Sequence, residues 1–348
     1  MKDAKENTTT VKTAAVAVIA AIMLICTVYA GDLEPSAPPA AGGTMKTLDE
    51  VEPRVPVNDD TAPGNAYYEY VISSAGSYYL TGDVNTTKGG IQITANNVTL
   101  DLCGYSLIGN GTGAYSGLDM DSESNVEIRN GTVRNFAQYG VMQNYVSSTN
   151  HRVINIRAVE NGEIGIYVHG INNLVKDCIS SGSGSSGFYL PGNSTVTGCK
   201  AYDNSNYGLF IGNGSVVRDN TAYVNSSTGI YVSSACTVIG NTARSNSGIG
   251  IQTGAGCTVQ NNTACENDNY GIRTGEGCTV TGNTARGNTD QGGIFIDDES
   301  TVIGNTATDN DGWGLYCSQN CLVDQNTAVD NTNNMYSYNC TVGTNHAP

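Results

Sequence analysis

The stretch "GCTVTGNTARGN", Gly277–Asn288, decides how the chain folds, because the chain keeps rewriting it. It recurs as "ACTVIGNTARSN" at 235–246, "GCTVQNNTACEN" at 256–267, "ESTVIGNTATDN" at 299–310 and "NCLVDQNTAVDN" at 320–331. Glycines keep the beat outside these copies too, at Gly165, Gly187, Gly208, Gly229, Gly250, Gly271, Gly293 and Gly314. Looser turns begin earlier, at Gly90, Gly117 and Gly140. Within each copy two or three apolar residues alternate with polar ones, the period of a β-strand. The runs are too short and too rich in β-branched residues, Gly and Asn to be helices.

The residue after each marker glycine is apolar in every copy, from Ile91 and Leu118 to Ile294 and Leu315. A repeat this short cannot bury such a residue alone, whereas stacked copies bury it against its own equivalents. The period therefore predicts an all-β solenoid with one coil of about 21 residues per repeat. About eleven coils at the ~4.8 Å strand spacing give a rod of roughly 50 Å. Two columns of Asn fit the same stack: Asn220, Asn241, Asn262, Asn283, Asn305, Asn326, and Asn204, Asn225, Asn246, Asn267, Asn288, Asn310, Asn331. Asn tolerates turn conformations, and its amides bond along a column, so these residues read as architecture.

Composition sets the partners. The chain has 348 residues, 32 Asp+Glu against 16 Lys+Arg, and a net charge of −16. That balance argues against nucleic acid as a partner. The N-terminus has polar residues with Lys2, Lys5 and Lys12, then the apolar "TAAVAVIAAIMLICTVYA". This reads as a signal peptide over 1–30, cleaved after Ala30, and an uncleaved anchor is the alternative and the sole route to a membrane. Cys26 does not read as a lipidation site, since Ile25 before it is too large. Residues 31–65 are Pro-rich and read as a disordered linker. The solenoid is expected over 66–345, with an N-terminal cap at about 66–89. A secreted, periplasmic or cell-surface location follows.

The "GNTA…N…GI" coils resemble the right-handed parallel β-helix proteins of the pectate-lyase-like superfamily, more narrowly the carbohydrate-binding and sugar-hydrolase repeat proteins. The lead-in "LDEVEPRVPV…YVISSAGSYYLTGDV…" resembles the cap and first coil of exported members. The resemblance covers roughly 48–342 and implies the fold more than an activity. The paired-Asp and G-H-G segments of polygalacturonases, the W-x-D-H stretch of pectate lyases and the D-P-H-E stretch of mannuronan epimerases are missing.

Side-chain alternation places the third position of each copy outward. There Tyr167, Tyr189, Phe210 and Tyr231 follow one another, an aromatic ladder read either as a sugar-binding surface or as a self-stacked column. Asp119 and Asp121 share one strand face and suit Ca2+, the one cofactor the sequence raises. Tyr167 or His169 as base, with Arg152 against a carboxylate, is the catalytic set a uronate lyase needs. Ten cysteines lie beyond the signal segment. They interchange with Ser at one repeat position, as a column of small residues does, and Cys178–Cys199 and Cys321–Cys340 lie within one-coil disulfide reach. Three functions are weighed. The first is an exported, non-catalytic surface protein that binds polysaccharide or cell-surface glycan. The second is a polysaccharide lyase or epimerase working through the N-terminal coils. The third is a periplasmic accessory metal-handling protein, which lacks a His/Met/Cys cluster.

Overall fold

The computed structural model describes residues 54–348, and the signal segment, Cys26 and most of the Pro-rich segment lie outside the described residues. The described residues form strands joined by turns, bends and irregular segments, with no helix among them. The strands form three ladders, named here faces A, B and C. Face A is a sheet of 13 parallel strands running from Tyr68–Ile72 to Asn333–Ser337. Faces B and C hold strands such as Thr237–Ile239 and Thr242–Arg244 respectively. Two long strands, Glu127–Arg134 and Arg152–Val159, run through both and join them into one sheet of 24 strands.

Every strand pairing in these ladders is parallel, and from Leu209 to Leu315 the register steps by 21 or 22 residues. Ile230 sits on Ile251, Val238 on Val259 and Ala243 on Ala264. The solenoid is longer at both ends than the marker glycines suggest, because Tyr68–Ile72 and Asn333–Ser337 add coils that lack the consensus. Residues 54–65, assigned to the linker from composition, instead pack on the first coil. Val55–Pro56 pairs with Tyr78–Tyr79, and Val57 and Ala62 are buried. Prolines at strand ends are compatible with such an edge, so composition alone misplaced this boundary.

The core is a thin column with one inward residue per strand position. Ile251, Val259 and Ala264 are all fully buried, as are their equivalents above and below. Burying an Ile or Val contributes about 1.5–3 kcal/mol. The marker glycines stand where coils approach most closely. A Cβ on Gly250 would lie 2.6 Å from the Gly271 carbonyl oxygen and 2.6 Å from Asn267 Nδ2. Only a residue without a side chain fits there.

The Asn columns bond as the sequence suggests. Asn241 Nδ2 donates to Asn262 Oδ1 at 3.0 Å, and Asn262 Nδ2 donates to Asn283 Oδ1 at 3.0 Å. The same oxygens accept backbone N–H groups from the coil before, at 2.9 Å in both cases. The second column repeats the arrangement, with Asn246 Nδ2 donating to Asn267 Oδ1 at 2.9 Å. Nothing polar is left unpaired inside these turns, so coils can stack without water.

The cysteines act in the same way. The ten cysteines of the described residues are free thiols. Cys236 N donates to Cys257 Sγ at 3.4 Å and Cys257 N to Cys278 Sγ at 3.3 Å, while Cys278 N donates to Ser300 Oγ at 3.0 Å. Sulfur and hydroxyl fill one structural role, which explains their interchange.

Candidate functional site

Outer positions of face A carry the aromatic ladder. Tyr167 pairs in register with Tyr189, Tyr189 with Phe210 and Phe210 with Tyr231. Tyr189 and Phe210 stack at 4.6 Å with 6° between planes, and Phe210 and Tyr231 at 4.8 Å with 13°. Tyr167 meets Tyr189 edge-on, at 5.4 Å and 70°. Tyr139 joins one end at 5.3 Å from Tyr167, and Tyr207 sets its edge against Phe210. Strand spacing and ring-stacking distance nearly coincide, so the rings cover one another's faces. What they show to solvent is a ridge of ring edges and phenol groups. Each such contact contributes about 0.5–1.5 kcal/mol beyond its burial.

Sequence reading missed a second ridge. Phe295 stacks on Tyr316 at 4.9 Å and 5°, and Tyr316 on Tyr336 at 4.9 Å and 17°. Trp313 and Tyr270 set their rings against it. The signal was present, because Phe295 and Tyr316 occupy the same third position, but Tyr336 lies in a terminal coil without the repeat. Gln252 and Arg273 separate the two ridges, and the Arg273 guanidinium lies 5.6 Å over the Phe295 ring.

Asp119 lies on face A, two coils before Tyr167, with Met142 between them in register. It is buried. Its Oδ2 accepts the Tyr68 hydroxyl at 2.6 Å and its Oδ1 accepts Asp121 N–H at 2.9 Å. Burial raises the Asp119 pKa against the pull of these hydrogen bonds. Burial and the neighbouring carboxylate also push the Tyr68 phenol far above its ordinary value. Tyr68, from the first coil, was not foreseen, since 51 residues separate it from Asp119 and no motif links them. Asp121 leaves the strand with φ 42° and is half-buried. Both Asp119 oxygens thus have protein donors, and among the described residues no three His, Cys, Asp or Glu side chains converge as a metal site.

His169 flanks the ladder, edge-on to Tyr167 at 6.2 Å. Its Nδ1 accepts the Gly170 N–H at 2.8 Å, which puts the proton of the neutral ring on Nε2, and burial lowers its pKa. Tyr167 donates its hydroxyl to Asn144 Oδ1 at 3.1 Å, and burial raises its pKa. Arg152 is elsewhere. It belongs to face B, where its Nε pairs with Glu127 at 3.1 Å. Glu127 also binds Arg129, which reaches Asp101 at 3.0 Å. The structure therefore brings Tyr167 and His169 together, keeps Asp119 on their face, and puts Arg152 on another.

With this geometry in view, comparison with known proteins gives a clear family. The model of the right-handed β-helix region matches residues 83–243 and 186–333. The chain belongs to the right-handed β-helix family. No curated protein sequence matches it. Among solved structures it is similar to the A-module of mannuronan C-5 epimerase AlgE6 of Azotobacter vinelandii, with TM-score 0.58 and 17% identity over 85% of this chain and 88% of the other. It is also similar to the periplasmic alginate epimerase AlgG, with TM-score 0.55 and 14% identity over 86% of this chain and 82% of the other. At these identities the likeness is one of fold.

Proposed function

We propose that this protein is an exported, non-catalytic β-helix that binds polysaccharide or cell-surface glycan along face A. The aromatic ridge of Tyr167, Tyr189, Phe210 and Tyr231 carries the reading, because it gives an extended chain a continuous apolar track with phenol groups along it. The structures it resembles are named as enzymes acting on mannuronan and alginate, which supports a carbohydrate ligand. Because the ring faces are taken up by stacking, a glycan lies against ring edges and hydroxyls, which suits modest affinity spread over many units.

The test is the double substitution Tyr189→Ala, Phe210→Ala, with glycan affinity and melting temperature measured on the same protein. Loss of two ring contacts weakens binding about tenfold or more. Unchanged affinity in the folded variant would remove face A as the binding surface. For export, the mature N-terminus is expected at Gly31, and N-terminal sequencing of protein from the native host decides it. Intact Met1 in a membrane fraction would favour an anchor.

One observation favours a second reading, a lyase or epimerase of uronate polymers. A buried carboxyl with raised pKa, hydrogen-bonded to a tyrosine on the same face as Tyr167 and His169, is the kind of pair that moves protons. Absorbance at ~235 nm from unsaturated uronate product tests the lyase branch. Proton exchange at the sugar C5, followed in heavy water, tests the epimerase branch.

A further inference from the structure

We infer that a depression on face B is a separate binding site for an uncharged pyranose unit. It is an open depression of about 450 Å3, lined by Asn172, Leu174, Asn193, Thr195, Gly214 and Val216, among others. Leu174, Thr195 and Val216 stack in register as outward residues of three successive coils and form its floor. Asn172 and Asn193 stand at its rim, at the turn that leads into face B.

The turn column shows why the depression opens there. In the coils before it, side-chain amides are tied one to the next. Asn125 Nδ2 donates to Asn97 Oδ1 and Asn150 Nδ2 to Asn125 Oδ1, both at 3.0 Å. The chain of amides stops at Asn150. Asn172 keeps the same left-handed backbone, φ 61°, yet its amide and that of Asn193 have no protein partner among the described residues. One coil further the column holds Gly214, at φ 67°. A Cβ there would lie 2.5 Å from Asn193 Oδ1, so the glycine leaves room for the Asn193 amide to lie at the rim.

The chemistry is specific. Two planar amides about one strand spacing apart offer donors and acceptors, Thr195 adds a hydroxyl, and Leu174 and Val216 supply an aliphatic floor. An apolar floor with a few polar groups at its rim suits the CH face and hydroxyls of a sugar. No charged side chain lines the depression. Arg152, directly before Leu174 in the ladder, is held by Glu127. Lys176 and Arg218, outward residues two positions further along the same strands, are paired with Asp177 and Asp219 at 3.7 and 3.4 Å, so a uronate would meet these carboxylates as well and the fitting ligand is a neutral hexose. This site goes beyond the face A reading and shares no residue with it.

The test titrates the full chain with cellohexaose, maltohexaose and an alginate hexamer, using calorimetry. The protein is made in a host without N-glycosylation, because Asn193-Ser194-Thr195 is a glycosylation sequon. One neutral hexamer is expected to bind. Thr195→Phe, which fills the depression, and the pair Asn172→Gly, Asn193→Ala, which removes the amides, should each weaken that binding about tenfold, the effect of two net hydrogen bonds. Thr263→Ala, an exposed substitution outside both surfaces, should leave it unchanged. Failure of both neutral hexamers to bind at millimolar concentration overturns the proposal. So does affinity lost in the face A pair but kept in both depression variants, a result that leaves the face A reading standing. Displacement of the neutral hexamer by the alginate hexamer in the face A double variant also overturns it.

Discussion

Replacing Asn262 by Ala probes the logic of the Asn columns. The Asn262 side chain is 1% exposed and makes four hydrogen bonds. Its Nδ2 donates to the Val238 carbonyl at 2.9 Å and to Asn283 Oδ1 at 3.0 Å, and its Oδ1 accepts Asn241 N–H at 2.9 Å and Asn241 Nδ2 at 3.0 Å. Two of these partners keep another bond after truncation. Asn241 Nδ2 still donates to the Val217 carbonyl, and Asn283 Oδ1 still accepts Asn262 N–H. The Asn241 N–H loses the acceptor that satisfies it inside the turn, whereas the Val238 carbonyl lies in a strand paired with the next coil, Thr258–Gln260. An orphaned buried polar group costs about 1–3 kcal/mol, so the substitution should destabilise by about that amount. Coils of a solenoid contact only their neighbours, so the loss is local. Hydrogen exchange should show Asn241 and the coils beside it opening first, with the terminal coils less affected, and urea unfolding should give the total. Thr263→Ala, at the exposed neighbouring position, should stay within about 0.5 kcal/mol. A loss below about 1 kcal/mol, with the Asn241 amide still protected, would refute the claim that the column holds the coils together.

Ile251→Asp places an unpaired charge in a fully buried column and should unfold the central coils, seen as lost far-UV circular dichroism or a sharply lower melting temperature; a soluble variant melting like the parent would refute the register. His151 is fully buried, and burial lowers its pKa from 6.5 to about 4. The unfolded chain thus takes up a proton that the folded chain refuses, so stability present above pH 6.5 is lost as pH falls towards 4, by about 3 kcal/mol. His151→Phe should remove that part of the pH dependence in denaturation measured between those limits. Asp119 has the opposite sign. Its raised pKa means that stability is lost as pH rises, so Asp119→Asn should gain on the parent at neutral pH and lose that gain in acid.

The repeat alone was enough to specify the solenoid. A period of 21 residues with apolar beads, turn amides and glycines in fixed places has one low-energy solution, because each element can be buried only against its own copy. The pairings Ile230 to Ile251 and Asn241 to Asn262 were legible for that reason. The outward row of Tyr167, Tyr189, Phe210 and Tyr231 followed from the same alternation. What lies across the period was not legible. The meeting of Tyr68 with Asp119, the removal of Arg152 to another face and the closing of Phe210 between Tyr189 and Tyr231 depend on where non-repeating coils turn and how rings tilt. Repetition specifies every contact that recurs, because an error would recur in each coil and add up. A contact made once has no such amplification, so only the folded chain decides it.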